Sequence, residues 1–338
     1  MTAAVATVRT TRVRRAAWRW GRPAVAVATL AALVWRLGTG PFLDGVRSVD
    51  VGALAAATGI TVLTTVCCAW RWRVVARGLG VELPLGAAVA AYYRSLFLNV
   101  TLPGGVVGDV HRGISHGRDT SDVARGLRAV VWERAAGQAV QIVLTVAVLL
   151  VAPSPAQGAM PFVGLAVLAA AAGVAVVLRV RPAVRRSWWA RLQCRAARDL
   201  RSALLARRAW PAITIASALV VAGHVATFLI AARTAGVTAP ASRLLPLALL
   251  VLMGAALPNI GGWGPREGVT AWAFGAAGLG ASRGVATAVA YGVMVFVASV
   301  PGAAVLAVAW VRGTGSAPRG RPLPRRLEVL ARRDGPDG

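Results

Sequence analysis

Apolar runs of about 20 residues recur along this chain, with the charged residues gathered in the gaps between them. In lipid a spanning segment must satisfy every backbone N–H and C=O internally, so such runs fold as helices. Six full spans are expected, at 17–37, 51–70, 129–152, 161–180, 210–232 and 285–311. Two further apolar stretches, 83–128 and 244–283, each carry a Pro- and Gly-rich break in the middle. No span shows the polar face of a soluble bundle helix. Hydrophobic residues make up 57% of the 338 and charged residues 15%, against about 25% in soluble domains, which is more apolar material than one soluble core of this length buries. The expected fold class is an all-α polytopic membrane protein.

The net charge is +26, and the sequence contains no lysine. This Arg-, Ala- and Val-rich usage reads as that of a GC-rich bacterial coding sequence. It excludes a P-loop lysine and a Schiff-base lysine. So basic a chain raises nucleic acid as a partner, but the arginines lie in blocks between apolar segments, as in a membrane protein oriented by its charges, and no nucleic acid is expected. Six arginines lie in Arg9–Arg22, then Arg71, Arg73 and Arg77, ten more in Arg179–Arg208 and seven in Arg312–Arg333; all of these are expected on the cytoplasmic side. Arg36, Arg47, Arg233, Arg243 and Arg283 fall on the other side. The N-terminal block and the apolar run to Trp35 have the outline of a signal peptide, but no small-residue cleavage site follows, so an uncleaved first span is expected. Cys67, Cys68 and Cys194 make no disulfide framework or metal pattern.

With both termini cytoplasmic, the first broken stretch enters and leaves from the cytoplasmic side and the second from the outer side. Each half then reads span, span, broken re-entrant hairpin, span, in opposite orientations. That is an inverted repeat, in which matching interrupted segments mark a binding site. Leu102-Pro103 precedes Gly113 at the interval by which Leu257-Pro258 precedes Gly268. The expected domains are a cytoplasmic basic N-terminus (1–16), a transmembrane domain (17–311, halves about 17–152 and 161–311) and a disordered basic cytoplasmic tail (312–338). Between the halves, Trp189, Leu192, Ala196, Leu200 and Leu204 recur at helical spacing among arginines. This pattern fits either a basic amphipathic helix on the cytoplasmic leaflet or a plain connecting helix.

The breaks hold the polar chemistry. The first carries Asn99, Pro103, Gly104, Gly105, Gly108, Asp109 and Arg112; the second carries Pro258, Gly261, Gly262, Gly264, Arg266 and Glu267, with Pro265 suited to the first helical turn. A helix restarting after glycines points its amides at an anion, and an arginine one turn on is placed to clamp a phosphate. Glu133 and Arg134 add charge early in the third span. Six such ionisable groups facing lipid would cost on the order of 15–20 kcal/mol, so they pair with one another or face a polar cavity. Structural ion pairs and a substrate or ion site both remain open, with Glu133, outside both breaks, the strongest structural candidate. Asp109-x-His111 does not place two ligands on one helix face, and no metal or other cofactor is expected. Arg94, in the rising arm of the first hairpin, is interfacial or joins the cavity. His116 reads as solvated and His224 as a packed, hydrogen-bonded residue. Trp35, Trp70 and Trp72, at span ends, read as interface anchors.

Phe97-Leu98-Asn99, Leu102-Pro103-Gly104-Gly105, Gly108-Asp109 and Arg112 together resemble the first signature of the lysylphosphatidylglycerol synthase transmembrane family. Val131-Trp132-Glu133-Arg134-Ala135-Ala136-Gly137 is similar to its next span, and Leu257-Pro258 through Gly268 to its second signature. The similarity covers roughly residues 15–312, with Pro265 and His111 as departures. The family includes the flippase domain of bifunctional proteins that aminoacylate phosphatidylglycerol, and stand-alone membrane proteins. Because only a short tail follows Arg312, the resemblance implies transport rather than synthesis, with no enzyme activity of its own.

The expected function is translocation of a phospholipid or lipid-linked intermediate across the plasma membrane. Arg112 and Arg266 would hold the lipid phosphate, helped by amides at Gly104, Gly105, Gly261, Gly262 and Gly264. Asp109 and Glu267 would pair with those arginines in the empty site, or contact a cationic or sugar headgroup. No nucleotide-binding motif is present, so the drive would be an ion gradient, the membrane potential or the lipid gradient. Two other readings stand beside it. One is an intramembrane transferase on lipid-linked headgroups with Asp109 or Glu133 as base. The other is an accessory subunit recruiting a separate synthase or glycosyltransferase.

Overall fold

The computed structural model describes residues 27–179, 188–256, 259 and 263–314. Among them the regular structure is helical: α1 (Val27–Leu37), α2 (Gly40–Arg47), α3 (Val51–Gly78), α4 (Leu85–Thr101), α5 (Val107–Asp119), α6 (Val123–Val151), α7 (Met160–Arg179), α8 (Trp188–Asp199), α9 (Ala209–Thr234), α10 (Ala241–Ala255), α11 (Pro265–Ala276), α12 (Ala281–Ser299) and α13 (Pro301–Thr314). Four helical stretches are long and apolar enough to cross a bilayer: α3, α6, α9 and the α12–α13 run, which Pro301 interrupts. The first expected span is described only from Val27, and the basic N-terminus and the tail from 315 onward lie outside the described residues.

Helix α3 runs further than the 51–70 expected for it. Asp50 caps its start by accepting from the Ala53 amide at 2.7 Å. No breaker intervenes until Gly78, and Gly80 then turns the chain at φ +78°. Arg71 and Trp72 are therefore inside the helix, and both are buried. This corrects two expectations: Arg71 is not a cytoplasmic flank residue, and Trp72 is not an interface anchor. Trp35, by contrast, is exposed.

Close packing rests on small residues, as between helices in lipid. A Cβ on Gly223 of α9 would press on Thr64 of α3, and one on Gly302 of α13 would strike the Tyr93 carbonyl of α4. Leu244, Leu247, Phe228, Phe274, Tyr291 and Met294 form the largest apolar core, where α9 to α12 converge. Helix α8 continues as a π-helical turn, Leu200–Leu204, whose Ala203 seats against Gly78. Asp199 fastens this segment to α6, pairing with Arg128 at 3.0 Å and accepting from Trp132 Nε1 at 3.2 Å.

Each broken stretch folds as two short helices. The first is α4 and α5 with residues 102–106 between them, and the second is α10 and α11. The two breaks touch, because the Gly104 amide donates to the Asn259 carbonyl at 3.0 Å. At Gly105, φ is +64°, a left-handed conformation that favours glycine, and a Cβ would press on the Asn259 side chain at 2.9 Å.

Candidate functional site

Helix α5 restarts where Asn99 permits it. The Asn99 Oδ1 accepts from the Gly108 amide at 2.8 Å, and its Nδ2 donates to Asp109 Oδ2 at 3.0 Å. Gly108 then packs against the Ser95 carbonyl, where no side chain fits. This contact draws Ser95 onto Asp109, its Oγ donating to Oδ1 at 3.0 Å. One turn on, Arg112 Nη2 donates to Asp109 Oδ1 at 2.9 Å and to Glu133 Oε2 at 3.0 Å. Arg134, next to Glu133 on α6, donates to Asp109 Oδ2.

The other carboxylate oxygen of Glu133 takes Arg71. Nε and Nη2 donate to Oε1 at 2.9 and 2.5 Å, Tyr92 adds its hydroxyl at 3.2 Å, and Arg71 Nη1 reaches Ser217 on α9 at 2.9 Å. Gly137, one turn beyond Glu133, leaves the space: a Cβ there would lie 2.7 Å from Arg71 Nη1. The Arg112 guanidinium is stacked between the rings of Trp72 (4.4 Å) and Tyr92 (4.1 Å). Its Nε and Nη1 have no hydrogen-bond partner among the described residues. His116, expected in solvent, is instead buried edge-on against Trp72, 5.3 Å between ring centroids.

The network thus joins Arg71, Arg112 and Arg134 to Asp109 and Glu133, one positive charge in excess. The Arg112 and Glu133 side chains are wholly buried, whereas that of Arg134 is 47% exposed. The open cation of the cluster is therefore Arg134.

A second cluster lies past the other break. Arg266 Nε and Nη2 donate to Glu267 Oε1 at 3.0 and 2.6 Å, and Glu267 Oε2 accepts from the Gly264 amide at 2.6 Å, capping α11. The guanidinium lies 5.3 Å from the rings of both Trp263 and Tyr291. Gly292 clears its place, since a Cβ there would sit 2.5 Å from Arg266 Nη2. Gly137 and Gly292 stand 155 positions apart, the separation of Pro103 from Pro258, and each makes room for a buried arginine.

Residues 20–302 match the family model described as the Lysylphosphatidylglycerol synthase TM region. The chain belongs to the lysylphosphatidylglycerol synthase transmembrane family. No curated protein matches it in sequence. Membership and the apolar helices together make it a multi-pass membrane protein linked to lipid handling.

The structure of this family member brings Asn99, Gly108, Asp109, Arg112, Glu133 and Arg134 into one network and keeps Gly264, Arg266 and Glu267 in another. Pro103 is exposed at the first break, and Gly104 and Gly105 adjoin Asn259. Pro258, Gly261 and Gly262 lie outside the described residues. Two amides expected to face an anion are engaged, Gly104 with Asn259 and Gly264 with Glu267. Arg71, Tyr92, Ser95 and Ser217 were not anticipated as members of the site. The spacing Thr64, Cys68, Arg71, Val75 along one helix face was the signal for Arg71. His224 hydrogen-bonds Tyr291 at 3.2 Å, and Cys67 and Cys68 are buried free thiols. Among the described residues no group of His, Cys, Asp and Glu is placed to hold a metal.

Proposed function

We propose that the protein is a lipid translocase of the plasma membrane that moves an anionic phospholipid or lipid-linked intermediate past the point where its two broken hairpins meet. The observation that carries this reading is the unbalanced, half-open Arg134. It lies about 16 Å from the start of α6, within a helix long and apolar enough to cross the bilayer. An intramembrane cation without a full complement of carboxylates favours an anion, and a lipid phosphate supplies one.

In the empty site Asp109 holds Arg134. An arriving phosphate takes that guanidinium, while Arg112, Ser95 and Asn99 still satisfy the carboxylate. Arg266 offers the second phosphate contact when Glu267 gives it up. Helices α5 and α11 are too short to span, which supports re-entrant hairpins. With the arginine blocks and both termini on the cytoplasmic side, the two hairpins enter from opposite faces, the inverted arrangement. Asp109 accepts from four donors, two of them guanidinium groups, so its carboxylate oxygens are occupied and it is a poor base for a transferase.

The test is transbilayer movement of labelled lipids with several headgroups in liposomes carrying the purified protein. The parent is compared with Arg134→Gln, Arg112→Ala and Arg266→Ala. Movement that the folded Arg134→Gln and Arg266→Ala variants lose supports the translocase. Absence of movement for every lipid, with and without ion gradients, overturns it.

A further inference from the structure

Helix α5 carries a second polar feature on the side away from the buried network. Asp109, Arg112, Gly113, His116 and Gly117 face inward, while Val107, Val110, His111 and Arg118 are exposed at helical spacing on the opposite face. The Gly108–Ser95 contact locks α4 beside α5 and brings Arg94, the neighbour of Ser95, to the edge of that face. His111 lies within electrostatic range of both Arg94 and Arg118.

Two arginines and the His111 imidazole therefore line the outer side of one hairpin. Among the described residues neither Arg94 nor Arg118 forms an ion pair, and Arg94 Nε is buried without a hydrogen-bond partner. Asp119 is the acidic group within electrostatic range of Arg94. Beside them stand apolar side chains open to the surroundings: Val106, Val107 and Val110. Basic groups next to exposed valines suit a molecule with an anionic head and an apolar tail. A free phosphate ion would use the first and gain nothing from the second.

We propose that the outward face of α4 and α5 is a binding site for an anionic phospholipid, with Arg94, His111 and Arg118 holding the headgroup and Val106, Val107 and Val110 the start of an acyl chain. The site deepens the translocase reading, because Asn99 and the buried network lie one to two turns further along α4. The binding itself does not depend on transport.

The test places the photoreactive residue p-benzoylphenylalanine at Val110 in the full-length protein, in nanodiscs of phosphatidylcholine with a minority of phosphatidylglycerol. Lipid adducts are counted by mass spectrometry. Phosphatidylglycerol is expected among the adducts several-fold above its share of the bilayer. In the Arg94→Gln/Arg118→Gln double variant the adducts should persist but fall to the bilayer ratio, which also shows that the hairpin is still folded and facing lipid. Inorganic phosphate should leave the enrichment unchanged relative to chloride at equal ionic strength. Adducts at the bilayer ratio in the parent, an enrichment that the double variant keeps, an enrichment that phosphate abolishes, or no lipid adduct at all would each overturn the proposal. A parent that enriches phosphatidylglycerol yet moves no lipid in liposomes would overturn the translocase and leave this site standing.

Discussion

Arg71 and Glu133 stand 62 positions apart in the chain and meet at 2.5 Å in the apolar interior, on helices α3 and α6. Glu133 also holds Arg112 at 3.0 Å, so one carboxylate without exposed surface ties two buried guanidinium groups together. Desolvating such charges is costly, and the cost is recovered only while each keeps its partner. Glu133 is therefore the keystone of the bundle as well as a member of the site.

Removing Glu133 alone should be severe. Glu133→Ala leaves Arg71 and Arg112 short of a partner and is expected to cost about 3–5 kcal/mol, read as a large fall in melting temperature in detergent. Arg71→Leu combined with Glu133→Leu removes a matched pair, keeps Arg112 on Asp109 and keeps the single positive excess. That double variant should recover most of the lost stability. If it melts no higher than Glu133→Ala, the pair is not the reason for the loss.

Four of the six expected spans and both breaks were legible in the sequence because their signals are local: runs of apolar residues, Leu-Pro pairs and glycine clusters. Arg71 and Trp72 were misplaced because the sequence shows charge and aromatic character at a span end but not the partner that draws them inward. Glu133, Arg112 and Tyr92 come from three other segments. His116 was misread for the same reason, since its burial depends on Trp72. The amides at Gly104 and Gly264 were legible as donors, but their capture by Asn259 and Glu267 is a matter of tertiary approach and of a capping rotamer.

Arg134 should separate function from stability. Its side chain is half open, and Asp109 keeps three other donors without it. Arg134→Gln is expected to leave the melting temperature near that of the parent and to abolish translocation of anionic lipid. A variant that still moves anionic lipid at the parental rate would take Arg134 out of the site.

Gly137 and Gly292 are expected to behave alike. An alanine methyl at either position would lie within 2.7 Å of a guanidinium nitrogen, of Arg71 or of Arg266, and at Gly292 it would also crowd Trp263. Overpacking of this kind costs about 1–3 kcal/mol. Thermal unfolding of Gly137→Ala and Gly292→Ala should show it, while Gly164→Ala on α7, where a methyl meets open space, should be neutral. Equal stability of all three would mean that the buried arginines have room to move.

The proposed re-entrance of each hairpin rests on the lengths of its helices. Helix α5 is 13 residues long and α11 is 12, about 20 and 18 Å, short of the core of about 30 Å. The turn after α5 should then lie on the side from which α4 entered, and the turn after α11 on the side from which α10 entered. Thr120→Cys and Ser282→Cys, both at exposed positions, test this in a background without Cys67, Cys68 and Cys194. With an impermeant thiol reagent in right-side-out vesicles, Ser282→Cys should label at once and Thr120→Cys only after permeabilisation. Labelling of both from the same side would mean that one hairpin crosses the bilayer, and the two halves would no longer be inverted copies of each other.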